Sequence, residues 1–133
     1  MERREPAATR DEYGRYITHS TEVPAIELAP GITARIISHD KITISLASAE
    51  PNAQLPPHRH ENEQMLMVLD GAIDFIIEGK QYHVEKDDVI VLPSNVEHGA
   101  YFTDKGASVI DVFSPPRHDF VARLEEVKKS RGK

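Results

Sequence analysis

Short apolar runs, separated by Gly, Pro, Asp and Asn at about every tenth residue, extend through most of this chain. This spacing is typical of an all-β sandwich or barrel, in which short strands follow one another without helices between them. A chain of 133 residues is long enough to bury the core of one such domain. The sequence predicts strands at residues 23–28, 32–38, 41–47, 64–69, 72–78, 80–84, 89–92, 98–102 and 108–113.

Turn residues indicate where these strands end. The pair Asp70-Gly71 lies between two apolar runs, and because both residues accept a positive φ, it predicts a two-residue β-hairpin. Segments 78–80 and 104–106 predict the next two turns. Only residues 119–129 carry apolar side chains at helical spacing, so this segment predicts a short C-terminal helix.

The same patterns predict the domain organisation. The first dozen residues are charged and carry no apolar pattern, so we expect a flexible N-terminal arm at residues 1–12. A single β-barrel is expected at residues 13–117, followed by a helix and tail at residues 118–133. No internal repeat is visible that would divide the barrel further.

Composition excludes several classes of function. The chain has no cysteine, so any bound metal must be held by nitrogen and oxygen atoms. A net charge of -6 disfavours a partner made of nucleic acid, which usually requires a basic face. No segment approaches the roughly 20 apolar residues that span a bilayer, and the N-terminus lacks the apolar region of a secretory signal. We therefore expect a cytoplasmic protein that binds neither nucleic acid nor membrane.

A histidine-rich tract carries the strongest sign of chemistry. Side chains alternate across a strand, so His58, His60 and Gln64 share a face that can point into the barrel. His98 begins a later predicted strand and can supply a fourth ligand from across the barrel. Imidazole suits Zn, Ni, Fe, Mn and Co, and the spacing does not choose among these divalent ions. Glu63 is an alternative ligand to Gln64, but it would need a β-bulge to turn inward.

The opposite face of the strand that follows this tract is also apolar. Met65, Met67 and Leu69 alternate with the inward-facing residues, so this strand should be covered on both sides. Either another layer of the same chain or a second subunit can provide that cover. Because barrels of this kind leave sheet edges and apolar faces exposed, we expect a homodimer.

These motifs resemble those of the cupin family. Two histidines one residue apart, a carboxylate or glutamine, and a later glycine form the first cupin motif, matched by His58, His60, Gln64 and Gly71. The second motif, Gly-x5-Pro-x-Gly-x2-His, is matched around residues 87–98, although both glycines are replaced, by Asp87 and Asn95. Asx residues tolerate positive φ, so these replacements keep the turns possible. The resemblance covers roughly residues 30–117 and implies a jelly-roll β-barrel that binds one divalent ion inside.

The end of the barrel has a narrower resemblance. Residues 109–120, Val-Ile-Asp-Val-Phe-Ser-Pro-Pro-Arg-His-Asp-Phe, are similar to the closing segment of pectin-degradation cupins of the KdgF type, and a similar segment occurs in isomerase cupins of the bacilysin pathway. The resemblance implies that Asp111 and Arg117 are catalytic and that Arg117, Phe113 and Phe102 contact substrate. Alternatives remain open for each residue. Asp111 can be a structural acid, Arg117 can form an ordinary salt bridge, and the two phenylalanines can be plain core.

The function expected from these residues is metal-dependent chemistry on a small anion. KdgF-type cupins help to open the rings of unsaturated uronates to linear keto acids, so the resemblance implies an isomerase or ring-opening enzyme acting on a small acidic sugar or keto acid. A neutral glutamine ligand leaves the ion's charge available to such an anion, and it departs from the 2-His-1-carboxylate set of non-haem iron oxygenases. The alternatives are a non-catalytic cupin that binds a small molecule and a non-haem metal dioxygenase, because one fold hosts many activities.

Overall fold

A computed structural model of the protein describes residues 2–132. It is a jelly-roll β-barrel with a short C-terminal helix, as the sequence predicted. The end residues Met1 and Lys133, which belong to the expected arm and tail, lie outside the described residues. In chain order the elements are α1 (Arg10–Tyr16), a 3-10 turn (Ser20–Glu22), β1 (Ile26–Ala29), β2 (Ile32–Ser38), β3 (Thr43–Ala49), β4 (Gln54–His58), β5 (Glu63–Ile77), β6 (Lys80–Glu85), β7 (Val89–Leu92), β8 (His98–Ser114) and α2 (His118–Arg131).

Two long strands, β5 and β8, connect the two walls of the barrel. The first half of β5 pairs antiparallel with the second half of β8, and this pair continues into β3, β2 and β1 on one side and β7 on the other. The remaining halves of the two strands pair with each other between β4 and β6. The barrel core lies between these walls and includes the fully buried residues Ile26, Ile36, Val68, Ile73 and Leu92.

The predicted hairpin at Asp70-Gly71 and the predicted turn at residues 104–106 are wrong. Both segments lie inside the long strands, where the register between β5 and β8 shifts and the strands bend from one wall to the other. Gly71 and Gly106 do have positive φ, of 84° and 65°. The backbones approach so closely here that a Cβ on Gly71 would clash with the Gly106 carbonyl oxygen. A positive φ at glycine serves a mid-strand bend as well as a turn. The positive φ was therefore correctly expected, but its assignment to a turn was wrong.

The other turn predictions agree with the structure. Glu78 and Gly79 form the tight connection between β5 and β6, with φ of 48° and 80°. Asp87 and Asn95 have φ of 76° and 64°, as expected of Asx residues that stand in for glycine. These two residues fix the ends of β7, and the second leads directly into β8.

Besides the 3-10 turn, helix α1 and strand β4 were not predicted from the sequence. Helix α1 begins with a capping box in which Thr9 and Glu12 bond each other's backbone N–H, but no residue of α1 is buried, so it has no apolar periodicity. It spans residue 12, where the expected arm ends. Strand β4 contains Pro56 and Pro57, which disfavour a regular strand. Its pairing with β8 is interrupted by a register irregularity between Leu55 and His58.

Helix α2 packs against the first two strands and closes one side of the barrel. Phe120 and Leu124 are its buried residues, and they point into the core. Its first turn is acidic and its last turn is basic, which matches the helix dipole. Neither this helix nor α1 is long and apolar enough to cross a membrane.

Candidate metal centre

Three histidines meet inside the barrel, two of them only two residues apart and the third distant in the sequence. His58 ends β4, His60 lies in the loop after it, and His98 begins β8. His58 and His98 are directly opposed in the antiparallel pairing of their strands. One nitrogen of each ring lies within 4.8 Å of the corresponding nitrogens of the other two. Three imidazoles at this separation could bind one metal ion.

Backbone carbonyls orient all three rings. The Nδ1 atoms of His58, His60 and His98 lie 3.0, 2.9 and 3.0 Å from the carbonyl oxygens of Pro56, Asn62 and Val96. A carbonyl can only accept, so each Nδ1 carries the proton and each Nε2 keeps a free lone pair. Such hydrogen bonds fix the tautomer and ring plane of metal-binding histidines. This donor set fits a divalent ion.

The surroundings keep two of these rings neutral. Burial is the main cause that lowers the pKa of His98 to about 4, and its neighbours His58, His60 and Arg117 add to the effect. Burial also lowers the pKa of His60, with the charge of Arg117 as the next cause. Near neutral pH both Nε2 atoms are therefore unprotonated and able to bind a metal.

Gln64 connects the histidines to a buried acid. Its Oε1 atom lies 3.1 Å from His60 Nε2, on the side where the ring carries its lone pair. Its Nε2 atom donates a hydrogen bond of 2.7 Å to Asp111 Oδ1. Gln64 is buried, whereas the alternative ligand Glu63 is exposed on the outer face of β5. A regular strand therefore brings the amide, and not the neighbouring carboxylate, to His60.

Asp111 is a carboxylic acid in a largely apolar wall. It is 6% exposed and lies on the inner face of β8. Burial raises the pKa of Asp111 to about 7, against the opposing effects of the Gln64 hydrogen bond and the Arg117 charge. A group with this pKa can both release and accept a proton near neutral pH.

Arg117 is held at the edge of the same cavity. Its backbone N–H donates to Thr43 Oγ1 at 2.9 Å, and its guanidinium donates to both carboxylate oxygens of Asp119 at 3.0 and 2.9 Å. The guanidinium carbon lies 3.8 Å from the ring centre of Phe120 and 4.9 Å from that of Phe113. Its side chain is 11% exposed, so this is not an ordinary surface ion pair.

One cavity joins these groups. Its volume is about 570 Å³ when the open space at its mouth is counted. His58 and His98 line it, and the apolar part of its wall includes Phe102 and Phe113, which are 9% and 3% exposed. The polar lining residues other than the two histidines are Ser45, Gln64, Asp111 and Arg117. His83 lies outside this cavity, on exposed β6, where its ring contacts Asp74 and Glu85.

Sequence analysis missed Ser45 and Asp119. Ser45 lies on the inner face of β3, opposite Asp111 in the strand pairing. One signal was available: β3 buries Thr43 and Ser45 while Ile44 and Leu46 face outward, the reverse of an ordinary barrel strand. A few polar residues on an otherwise apolar inner face are typical of a ligand-binding cavity. Asp119 lies in the segment 109–120 that resembles KdgF-type cupins, but its own position gave no further signal, because an acid in the first turn of a helix is ordinary.

The fold and the histidine site define the class of protein. The family model described as the cupin domain matches residues 45–113. The chain belongs to the cupin domain family.

Individual proteins of known name or structure are similar to this chain. The pectin degradation protein KdgF of Dickeya dadantii (strain 3937) is 31% identical over 102 residues, covering 75% of this chain and 93% of that protein. The H2HPP isomerase of Bacillus subtilis is 29% identical over 107 residues, covering 78% of this chain and 45% of that protein. The solved structure of KdgF from Halomonas sp. matches with a TM-score of 0.71 at 30% identity, over 77% of this chain and 94% of that one. The resemblance to KdgF-type cupins is thus confirmed.

Proposed function

We propose that this protein is a metal-dependent cupin that opens or isomerises a small acidic sugar or keto acid, with an unsaturated uronate as the substrate class. The relatives support this class, since one is a pectin degradation protein and another is an isomerase. The observation that carries the proposal is the Gln64 amide, which faces His60 with its oxygen and donates to Asp111 with its nitrogen. It joins a metal site and a proton-transfer group in one cavity.

The proposed metal ligands are His58, His60, Gln64 and His98, holding one Zn, Ni, Fe, Mn or Co ion. All four ligands are neutral, so the ion keeps its full positive charge toward a bound anion. When bound, such an ion acts as a Lewis acid that polarises a hydroxyl or carbonyl oxygen of the substrate.

Arg117 is proposed to bind the substrate's carboxylate. Asp119 occupies the Nε–H and one N–H of Nη2, which leaves the other guanidinium N–H groups for a ligand. The aromatic rings against the guanidinium keep it from rotating away from the cavity. Phe113 and Phe102 are proposed to pack against the apolar edge of the substrate.

Asp111 is proposed to move one proton. Its Oδ1 accepts from Gln64, which leaves Oδ2 for the substrate. In an unsaturated uronate, Asp111 takes the proton of the anomeric hydroxyl as the bond between the anomeric carbon and the ring oxygen breaks. The former ring oxygen becomes the oxygen of an enolate. Return of the same proton to the enolate carbon that does not carry this oxygen yields the linear keto acid. No atom is gained or lost, so the reaction is an isomerisation.

Turnover of the unsaturated sugar tests this proposal. Metal-loaded protein is incubated with 4,5-unsaturated galacturonate, and loss of the alkene absorbance is followed over time. We expect clear acceleration over buffer, a fall of about 100-fold or more for Asp111→Ala, and no change for Asp104→Ala, an exposed acid on the same strand. If the wild-type protein does not accelerate the reaction, the proposal is wrong and the alternatives are a non-catalytic binding cupin or a dioxygenase. If Asp111→Ala reacts at an undiminished rate, Asp111 does not transfer the proton.

Metal content tests the ligand assignment separately. Elemental analysis should show a divalent metal in the wild-type protein and its loss in His98→Ala. His83→Ala is the matched control, because His83 lies outside the cavity on β6. Full metal retention in His98→Ala would contradict the assignment. The cytoplasmic location expected from the sequence stays a prediction.

A further inference from the structure

The Ser45 hydroxyl is a buried polar group without a partner. Ser45 is 0% exposed, and among residues 2–132 its Oγ is the only fully buried side-chain nitrogen or oxygen that makes no hydrogen bond. Thr43, two residues earlier on the same inner face, differs because it bonds both Ser38 and the Arg117 backbone. Burying a hydroxyl without a partner is unfavourable, so the Ser45 hydroxyl destabilises the protein in the absence of a ligand.

The position of Ser45 places this hydroxyl in the cavity beside Asp111. The two residues are directly opposed between β3 and β8, where opposed side chains stand about 5 Å apart. Both line the cavity. The next inward-facing row along the same strands, formed by Ala47, Val109 and Val68, is apolar. Ser45 and Asp111 are therefore the last polar groups before the apolar core.

We propose that Ser45 is a specificity residue whose hydroxyl hydrogen-bonds a hydroxyl group of the bound sugar acid, next to the group that Asp111 contacts. This inference rests on the proposed function, because it concerns the substrate of the same site. Arg117 binds the carboxylate at the edge of the cavity, and Ser45 hydrogen-bonds a hydroxyl group of the same ligand at the inner end of the cavity. The pair selects a hydroxylated acid over an acid of similar size that carries only apolar groups at that end.

Binding of saturated galacturonate tests the inference without requiring turnover. Its dissociation constant is measured by calorimetry for the metal-loaded wild-type protein, for Ser45→Ala and for Ser48→Ala. Ser48 is the matched control, because it lies on the same strand and faces outward. We expect Ser45→Ala to bind about 10-fold more weakly, the loss of one neutral hydrogen bond, and Ser48→Ala to bind as the wild type does. Equal affinity for Ser45→Ala, or no binding by the wild type, would overturn the inference.

Thermal unfolding separates recognition from a structural role. If the serine hydroxyl supports the fold, truncating it to alanine lowers the stability of the protein. If the hydroxyl has no partner, the same truncation removes an unfavourable buried group. Without ligand, Ser45→Ala should therefore have a Tm equal to or above that of the wild type, with the same metal content. A lower Tm would show that the hydroxyl is satisfied within the protein, for example by an ordered water, and would overturn the inference.

The inference and the proposed function fail in different ways. If the wild-type protein binds galacturonate but does not consume the unsaturated sugar, the reaction is wrong and the Ser45 result still stands on binding alone. If the wild type consumes the unsaturated sugar and Ser45→Ala binds galacturonate equally well, the reaction stands and the role of Ser45 is wrong.

Discussion

At the scale of single residues, the candidate site depends on side chains that make two different contacts at once. The Gln64 amide can face a metal site with its oxygen and an acid with its nitrogen, which neither a glutamate nor an aliphatic residue can do. The Arg117 guanidinium bonds a carboxylate along one edge and packs an aromatic ring on its face. Each residue is thereby fixed in one orientation before a ligand binds, which reduces the entropy lost on binding.

Asp119→Asn tests whether the orientation of Arg117 matters. Asparagine keeps the shape of the side chain but cannot accept two charge-assisted hydrogen bonds, so the guanidinium should move more freely. We expect the KM for 4,5-unsaturated galacturonate to rise about 10-fold while kcat changes less, because Asp119 acts only through Arg117. Glu126→Gln, at an exposed position of the same helix, should change neither constant. An unchanged KM in Asp119→Asn would mean that the aromatic rings alone position the arginine.

At the scale of elements, the bends of β5 and β8 bring the site together. The two strands change walls where Gly71 packs closely against the Gly106 backbone, and the site residues of β8 lie on both sides of this point, with His98 before it and Asp111 after it. A straight strand of this length could not bring both into one cavity, since each residue advances the chain by roughly 3.3 Å. The close contact between the glycines is therefore a condition for the site.

Gly71→Ala should be far more destabilising than Gly79→Ala. Both glycines have a positive φ, at a cost of roughly 1–2 kcal/mol for alanine. Only at Gly71 would the new methyl group also clash with backbone, while nothing lies near a Cβ at Gly79. We expect a loss in unfolding free energy of about 1–2 kcal/mol for Gly79→Ala, and of roughly 3 kcal/mol or more for Gly71→Ala. Urea denaturation measures both, and equal losses would show that the bend adjusts without strain.

At the scale of the whole molecule, the wall that carries the site has polar groups within its inner face and apolar side chains exposed on its outer face. Its inner face holds Ser45, Gln64 and Asp111, and its outer face is apolar where β5 and β7 pair. The exposed apolar residues of this outer face are Met65, Met67, Leu69, Val89 and Val91, at 39% to 55% exposure. Sequence analysis expected this face of β5 to be covered, and no layer of residues 2–132 covers it. A large exposed apolar patch usually marks an interface.

The homodimer expected from the sequence is tested at this face. Light scattering should give a mass of about twice the 14.9 kDa of one chain. Val91→Lys places a charge in the centre of the patch, where its desolvation opposes association, and should give monomers. Gln81→Lys, on exposed β6, should leave the mass unchanged. A monomeric wild-type protein, or a dimeric Val91→Lys, would assign the patch to something other than self-association.

Stability of the metal-free protein should depend on pH through the opposing effects of the buried acid Asp111 and the histidines His98 and His60. Folding raises the pKa of Asp111 from 3.8 to about 7, so the folded state holds an extra proton and stability falls as pH rises through this range. Folding lowers the pKa of His98 from 6.5 to about 4, so the folded state lacks a proton and stability falls as pH drops through this range. Between about pH 4 and 6.5 the effects of Asp111 and His98 nearly cancel, and the lowered pKa of His60 adds to the histidine side.

Asp111→Asn should expose the histidine effect. With the acid removed, the unfolding free energy of the metal-free protein should rise by on the order of 1 kcal/mol per pH unit between pH 4 and 6.5. The wild-type protein should show a much flatter profile over the same range. Urea denaturation at a series of pH values measures both, and identical profiles would mean that the Asp111 carboxyl is ionised like an exposed acid.

The sequence by itself determined the barrel and the histidine site. Alternation of side chains along β5 chose Gln64 over Glu63, and Asx residues at positions 87 and 95 predicted positive φ, because both depend on local backbone geometry. Only the tertiary structure decided that Gly71 bends a strand instead of turning it, since the choice depends on what β8 places opposite. It also decided that Ser45 lacks a partner and that Asp119 holds Arg117. Contacts between distant segments leave no periodic signal in the chain, so they are defined only once the barrel closes.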